Sequence, residues 1–318
     1  MNQNLPKKIN SKQIVITNDH EGQRIDNFLL RYFGKVPKSR VYKMLRKGEV
    51  RVNKGRIKQT YKLKNGDVLR LPPVYLNESN DNDVPIYLQQ RILDSIIYED
   101  EGIIIINKPS GIVVHSGSGQ DHGVIEAFRA AKEDYKSLEL VHRLDKDTSG
   151  CLILAKSIPI LRELHNIMNQ GEITKVYSAL LAGRLNKEKV IVDSNLSKKK
   201  TNERVTTVEK DGKESKSIFY REKLYKDATL VSVDLKTGRT HQIRVHSDSI
   251  GHPVLGDSKY GNREINKEFR KKGLKRMFLH ANSLSFISPV SDKRLTVEAP
   301  IEEKLLNFLE KLSVDTND

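Results

Sequence analysis

Apolar residues in the first quarter of the chain recur at helical spacing. One predicted helix would carry its apolar face on Ile25, Phe28, Leu29, Tyr32 and Phe33. A second helix is predicted over residues 40–47, with Ser39 as its N-cap. Short apolar runs at residues 50–52 and 68–71 predict two strands that follow these helices. This part of the chain is therefore expected to form a small unit of helices and short strands.

The remainder of the chain shows many strand patterns and few helical ones. Strands are predicted at residues 103–106, 151–155, 174–181, 217–224, 228–235, 278–286 and 294–299. Helices are predicted at residues 124–131, 160–168 and 301–312. Because strands and helices do not alternate regularly, the pattern favours an α+β fold with a mixed, largely antiparallel sheet.

Composition along the chain predicts where these parts meet. Residues 77–83, Asn-Glu-Ser-Asn-Asp-Asn-Asp, are polar and poor in core-forming side chains, which is typical of a linker. We therefore predict a tail at residues 1–18 that ends in a short strand, a small module at 19–75, a linker at 76–91 and a larger domain at 92–318.

Positive charge is concentrated in the predicted small module. The whole chain of 318 residues has a formal net charge of +15. Residues 21–72 hold 15 lysines and arginines against 4 acidic residues, so this segment alone carries +11 and the rest only +4. Such a concentration favours a polyanionic partner such as nucleic acid, although a solvated basic surface would have the same composition.

The single cysteine, Cys151, has no partner for an internal disulfide, which fits a reducing compartment. Its place at the start of an apolar run predicts a buried side chain rather than a nucleophile. No apolar stretch approaches the ~20 residues of a membrane span, and the first residues do not resemble a signal peptide. We therefore expect a cytoplasmic protein that does not bind membranes.

One carboxylate, Asp145, stands out from the other acidic residues. It lies in the sequence His-Arg-Leu-Asp-Lys-Asp-Thr-Ser-Gly, residues 142–150, directly before the apolar run 151–155. A carboxylate on a loop at the mouth of a buried strand is where nucleophiles and general bases often lie. Aspartate three residues before a threonine is also a common turn or capping pattern, so both interpretations stay open on this motif alone.

Four motifs together resemble the RluA family of pseudouridine synthases, which isomerise uridine in RNA. They are Asn-Lys-Pro-Ser-Gly at 107–111, the Asp145 motif at 142–150, Lys-Val-Tyr-Ser-Ala-Leu at 175–180, and Gly-Arg-Thr-His-Gln-Ile-Arg-Val-His at 238–246. Within the family the chain is most similar to the RluC-type enzymes of the large ribosomal subunit. Gly256-Asp257 is instead similar to RluD-type relatives, so the target uridines stay open.

The resemblance implies roles for four residues of the larger domain. Asp145 would be the catalytic carboxylate, and Arg244 would pair with it and keep it ionised. Tyr177 would lie near the uracil and could take the proton from C5. Arg143 would hold the flipped-out nucleotide or fill the space that it leaves. Taken singly, Tyr177 could be a packed strand residue and either arginine a surface residue.

The small module resembles the RNA-binding module named after ribosomal small-subunit protein four. In that module the second helix and the following strand bind structured RNA. The resemblance implies phosphate contacts from six basic residues, Arg40, Lys43, Arg46, Lys47, Arg51 and Lys54. Any one of them could instead be a solvated surface side chain.

The isomerisation breaks the bond between C1′ and N1 and forms one between C1′ and C5, without redox change or hydrolysis. No cofactor is therefore expected. No zinc-binding pattern accompanies the motif histidines, and no metal site is predicted. The expected partner is 23S rRNA or a large-subunit precursor, bound by a monomer. Two other classes stay possible: a non-catalytic RNA-binding or ribosome-assembly protein, and a hydrolase such as a nuclease.

Overall fold

Contacts divide the chain into two units, residues 1–84 and residues 85–318. The computed structural model describes residues 7–34, 36, 38–76, 84–116, 122–200, 204–209 and 211–313.

The first unit packs two amphipathic helices against short strands. Its helices are α1 (Ile25–Phe33) and α2 (Lys38–Lys47). Its strands are β1 (Lys7–Ile9), β2 (Lys12–Val15), β3 (Arg51–Val52), β4 (Val68–Leu71) and β5 (Val74–Leu76). Strands β2, β4 and β3 form an antiparallel sheet in that order, and β1 pairs with β5. The apolar residues of α1 and α2 join the buried residues of β4 in one core.

Two details of the first unit differ from the prediction. Strand β2 pairs with β4 along its whole length, so residues 12–15 belong to the sheet of the module and not to a tail. Helix α2 begins at Lys38, so Ser39 lies in its first turn and is not its N-cap. The first difference arises because pairing with a distant strand leaves no signal in a segment of three or four residues.

The second unit contains a large sheet with helices packed around it. Its helices are α3 (Ile86–Leu93), α4 (Val124–Ala131), α5 (Ile158–Asn169), α6 (Gln242–Ser249), α7 (Arg263–Lys271) and α8 (Glu303–Glu310). Its strands are β6 (Ile96–Glu99), β7 (Ile103–Lys108), β8 (Glu139–Leu140), β9 (Ser149–Ala155), β10 (Thr174–Ala182), β11 (Lys189–Asp193), β12 (Leu196–Lys200), β13 (Arg204–Val208), β14 (Lys216–Tyr225), β15 (Ala228–Leu235), β16 (Leu279–Ile287) and β17 (Arg294–Glu298).

The large sheet has the order β11-β14-β15-β10-β16-β9-β7-β6, with β17 beside β16 and β8 beside β9. Strands β16 and β9 run parallel, and the other pairs described in this sheet are antiparallel. The prediction of an α+β fold with a mixed, largely antiparallel sheet is therefore confirmed. Strand β9 is buried along its whole length, which explains why its sequence is a continuous apolar run.

Several elements of the second unit were not predicted. Helix α3 occupies the end of the predicted linker of residues 76–91. The linker prediction is therefore wrong from residue 86 onward, where the chain is helical. Helix α7 was missed because nearly all of its residues are polar, and Phe269 is its one buried side chain among the described residues. Helix α6 was missed because most of its polar residues are buried, which removes the amphipathic pattern.

No helix within the described parts of either unit combines the length and the apolar character of a membrane-spanning segment.

Candidate active site

Asp145 lies on the loop that connects β8 to β9, where the buried strand β9 begins. Its side chain is 20% exposed, so it is accessible from outside and largely surrounded by protein. The amide of Thr148 donates a hydrogen bond to the carbonyl of Asp145 at 3.2 Å, which forms the turn that the Asp-x-x-Thr spacing predicts. The capping and the catalytic interpretations are therefore compatible, because the turn uses the backbone and leaves the carboxylate available.

A buried lysine holds this loop against the end of β7. Lys108 pairs with Gly150 across the sheet, which places it beside the start of β9. Its ammonium donates to the carbonyls of Pro109, Ile112 and Lys146 at 2.9, 2.8 and 3.1 Å. Burial lowers the pKa of Lys108 to about 7, against the opposing charges of the neighbouring aspartates. The three carbonyls match the three N–H groups of the ammonium, and this arrangement joins the 107–111 motif to the Asp145 loop.

Arg244 connects the Asp145 loop to helix α6. The guanidinium Nη1 donates to Oδ2 of Asp145 at 3.0 Å. On its other edge, Nε and Nη2 donate to the two carboxylate oxygens of Asp257 at 2.6 and 2.8 Å. Arg244 is only 8% exposed, so it is not the surface residue that the sequence left possible. The guanidinium therefore has a fixed position between two carboxylates. Its bidentate pair with Asp257 directs Nη1 toward Asp145.

The electrostatics of this cluster favour full ionisation of the arginine and of Asp257. Burial works against the charge of Arg244, but the hydrogen bonds and charge of Asp257 and then the charge of Asp145 raise its pKa. Burial likewise opposes the charge of Asp257, yet Arg244 and the amides of Lys259 and Tyr260 lower the pKa of this carboxyl. In the sequence Asp257 only separates subfamilies, and its contact with Arg244 is visible in the structure alone.

Tyr177 lies in the middle of the sheet, on β10, between β15 and β16. It is 8% exposed, and the pairing of β10 with β16 shifts register between Val176 and Tyr177. Such an irregularity changes the direction of a side chain relative to a regular strand. Burial, followed by the charge of Asp145, raises the pKa of Tyr177. The hydroxyl is therefore a neutral phenol at physiological pH.

Two further side chains, His241 and Tyr260, belong to the cluster around Asp145 and Arg244 and were not selected from the sequence. His241 directly precedes α6 and has a left-handed backbone with φ of 56°, a conformation that is uncommon for residues other than glycine. Its Nε2 lies 3.8 Å from Oδ1 of Asp145, and its Nδ1 lies 2.8 Å from the hydroxyl of Tyr260. The ring of Tyr260 stacks 5.0 Å from the Arg244 guanidinium carbon. The Asp-x-x-Tyr spacing of residues 257–260 was the available signal for this cluster.

The remaining motif histidines have structural partners. The amide of Ile153 donates to Nε2 of His142 at 3.1 Å, and burial lowers the pKa of His142 to about 4. His280 bonds to the hydroxyl of Ser149 and to the carbonyl of Ala299. The described residues contain no group of three or more histidine, cysteine, aspartate or glutamate side chains arranged to hold a metal ion.

Arg143 is exposed two residues before Asp145, and the structure thus leaves it accessible at the edge of the site.

In the first unit, Lys43, Arg46 and Lys47 are exposed on α2, and Lys54 is exposed in the turn after β3. The two other basic residues selected from the sequence have protein partners. Arg40 forms an ion pair with Glu49 at 2.8 Å, and Arg51 donates to the carbonyl of Gly48 at 3.2 Å.

Comparison with known proteins identifies the family. A family model described as RNA pseudouridylate synthase matches residues 102–249, and one described as S4 domain matches residues 23–69. A curated relative from Haemophilus influenzae, named ribosomal large subunit pseudouridine synthase C, is 46% identical over 312 residues, which cover 96% of this chain and 97% of the relative. This chain belongs to the RluA family of pseudouridine synthases. A relative of the same name from Escherichia coli (strain K12) is 46% identical over 95% of this chain and 96% of its own length.

Solved structures of the family have the same fold. Human RNA pseudouridylate synthase domain containing 1 superposes with a TM-score of 0.58 at 26% identity, covering 70% of this chain and 89% of its own. Human RNA pseudouridylate synthase domain containing 4 superposes with a TM-score of 0.61 at 22% identity, covering 75% of this chain and 98% of its own. The predictions of family, enzyme class and fold are confirmed by these comparisons, and the roles of individual residues remain predictions.

Proposed function

We propose that this pseudouridine synthase isomerises specific uridines of large-subunit (23S) rRNA, with Asp145 as the catalytic carboxylate. The observation that carries the proposal is the ion pair of Asp145 with Arg244, a cation fixed on its other edge by Asp257. The cation donates a hydrogen bond to Asp145 and orients its carboxylate at a partly open site. The substrate class follows from the large-subunit enzymes to which the chain is 46% identical over nearly its whole length.

The reaction requires a group that stabilises or forms a bond to the fragment left when the C1′–N1 bond breaks. A carboxylate suits this role because it is both a nucleophile and a negative charge beside a developing cation. Attack on the sugar and attack on the base are both compatible with the position of Asp145. The detached uracil must then rotate within the site until C5 faces C1′.

Tyr177 supplies the second chemical group of the proposal. In the product, N1 gains one proton and C5 loses one, so no net proton enters or leaves. Because the raised pKa keeps Tyr177 a phenol, the group is not a preformed tyrosinate base. We propose that its oxygen takes the proton from C5 while its own proton moves toward N1, which balances the exchange.

Substituting Arg244 tests whether its ion pair with Asp145 contributes to turnover. Arg244→Lys keeps a positive charge but replaces a planar fork with a single ammonium, which cannot reach Asp145 and both oxygens of Asp257 in the same way. We expect turnover to fall about 10- to 100-fold, the effect of one lost charge-assisted hydrogen bond of roughly 1.5–3 kcal/mol. Single-turnover rates on rRNA measure this, with Arg221→Lys on β14 as the matched control. An unchanged rate would show that the ion pair of Arg244 with Asp145 is not needed for turnover.

Access to a stacked uridine is the role proposed for Arg143. The nucleotide must leave its stack before chemistry, at a cost of roughly a few kcal/mol. An exposed arginine two residues from Asp145 is suited to occupy the vacated space or to contact the adjacent phosphate. Its exposure before RNA binds is what such a role requires.

RNA docking is proposed for the first unit, through Arg40, Lys43, Arg46, Lys47, Arg51 and Lys54. The exposed residues of this set are Lys43, Arg46, Lys47 and Lys54. They are suited to direct phosphate contact, because they do not have to break an ion pair first. Arg40 would first have to leave Glu49 or share its guanidinium with a phosphate. The contribution to affinity is therefore expected to be larger for Lys43 and Arg46 than for Arg40.

The paired substitution Lys43→Ala with Arg46→Ala should weaken rRNA affinity and flatten its dependence on salt. Each lost phosphate contact reduces the slope of log affinity against log salt by about one, so the pair should reduce it by about two. Filter binding from low to moderate salt measures the slope. Removing two exposed lysines of α7, Lys267 and Lys271, controls for net charge. Equal slopes for both double variants would place the α2 residues outside the interface.

We further propose that the protein acts as a monomer in the cytoplasm and needs no cofactor.

The decisive experiment for the proposed reaction measures tritium released from large-subunit rRNA labelled at uridine C5, with the wild type beside Asp145→Asn. The proposal expects release by the wild type alone and RNA of unchanged length. Intact RNA without release, from both free rRNA and assembly intermediates, would support a binding protein instead. Shortened RNA would support a nuclease.

A further inference from the structure

The hairpin of β12 and β13 is hydrogen-bonded to the cluster around Asp145. The backbone amide of Thr206, on β13, donates to the hydroxyl oxygen of Tyr260 at 3.0 Å. Thr206 faces Lys198 in the hairpin register, and its side chain is buried. This bond joins a two-stranded hairpin that lies outside the large sheet to a residue that stacks on Arg244. The position of the hairpin is therefore connected to the position of the catalytic cluster.

The Tyr260 hydroxyl connects Thr206 to His241. A phenol has one proton to donate, and its oxygen here accepts from the Thr206 amide. Nδ1 of His241 is a second polar neighbour of the hydroxyl, at 2.8 Å. Tyr260 donates to Nδ1 when the neutral imidazole carries its own proton on Nε2.

The other side of the imidazole selects the tautomer. Nε2 faces Oδ1 of Asp145 at 3.8 Å. A lone pair at this position would repel the carboxylate, whereas an N–H is attracted to it. Asp145 thus selects the form with the proton on Nε2, in which Nδ1 accepts from the Tyr260 hydroxyl. Burial lowers the pKa of His241, partly offset by Asp145, so the ring stays neutral at physiological pH.

We propose that Tyr260 and His241 form a positioning relay from the β12–β13 hairpin to Asp145. Two hydrogen bonds join the Thr206 amide to the Tyr260 hydroxyl and the hydroxyl to the His241 ring, and the ring faces Oδ1 at 3.8 Å, while Arg244 holds Oδ2. The inference rests on the proposed function, because the carboxylate that is positioned is the catalytic one. A separation of 3.8 Å must shorten to become a hydrogen bond, and catalytic contacts commonly shorten in this way when substrate binds.

The left-handed backbone of His241 fits the relay. A φ of 56° turns the chain sharply at the start of α6 and brings the imidazole between Tyr260 and Asp145. Asparagine adopts this backbone more readily than most residues, and glutamine does so less readily. Glutamine, however, can place an amide N–H near the position of Nε2, which asparagine is too short to reach. The two substitutions therefore separate a backbone role from a relay role.

The first test substitutes the two relay residues and measures single-turnover tritium release at saturating enzyme. Tyr260→Phe keeps the ring over Arg244 and removes the hydroxyl, and it should slow turnover about tenfold with unchanged RNA affinity and melting temperature. His241→Gln should retain more activity than His241→Asn. Tyr220→Phe, an exposed strand tyrosine of the same unit, is the matched control. A wild-type rate for Tyr260→Phe, or a faster His241→Asn than His241→Gln, would overturn the relay.

The double variant Tyr260→Phe with His241→Gln completes the cycle. If the residues act in one chain of bonds, the second substitution should add little to the first, whereas independent structural effects would multiply. Multiplied effects overturn the relay even if Tyr260→Phe folds poorly. A wild type that releases no tritium would overturn the proposed function, and the relay with it. An active wild type beside an unaffected Tyr260→Phe would overturn the relay alone.

Discussion

Asp145→Asn should abolish tritium release while leaving RNA binding and folding close to those of the wild type. The amide has the shape of the carboxylate and can still accept a hydrogen bond from Arg244, but it has neither the charge nor the nucleophilicity. We expect the rate to fall at least about 10³-fold, since removal of an essential catalytic group removes the chemical step itself. Single-turnover release and circular dichroism give the two measurements.

The matched control for this variant is Asp147→Asn, an exposed carboxylate on the same loop. It removes the same charge two residues away and should leave turnover within about twofold, because an exposed charge contributes little at this distance. Turnover retained by Asp145→Asn would exclude Asp145 as the catalytic group. Unfolding of Asp145→Asn would assign it a structural role instead.

Tyr177→Phe is expected to have the second largest effect, a loss of about 10²-fold or more in turnover. The substitution keeps the buried ring and the strand pairing but removes the group proposed to exchange protons with the uracil, and general acid–base catalysis has effects of this size. RNA affinity should stay close to the wild type, because the phenol is proposed to act at the reacting base and not along the phosphate backbone. Binding and single-turnover assays on the same preparation separate the two quantities.

The control for Tyr177→Phe is Tyr225→Phe, another buried strand tyrosine of the second unit. It should lose no more than a small amount of stability and retain turnover. Equal losses of affinity and turnover in Tyr177→Phe would count against a proton-transfer role, because they would indicate that the ring binds substrate equally well in all states. A loss confined to turnover, with tritium retained at C5, would support the proposed exchange.

Local patterns were sufficient for the elements whose sequence and environment agree. Helix α1 was predicted because its apolar positions are also its buried ones, and β9 because burial on both faces requires a continuous apolar run. Helices α6 and α7 have no such agreement. In α6 the buried residues include Gln242, Arg244 and His246, each held by hydrogen bonds from other segments, and in α7 a single buried phenylalanine anchors a charged helix.

The sequence by itself determined the family, the α+β class and the three residues proposed for chemistry, because motifs of short range are visible in the chain. Only the tertiary structure decided that Arg244 is shared by Asp145 and Asp257, and that His241 and Tyr260 lie between Asp145 and the β12–β13 hairpin. Asp145 and Arg244 are separated by 99 residues and are brought together by strand pairing across one sheet. Orientation, burial and hydrogen-bond direction depend on such distant partners, and no local pattern records them.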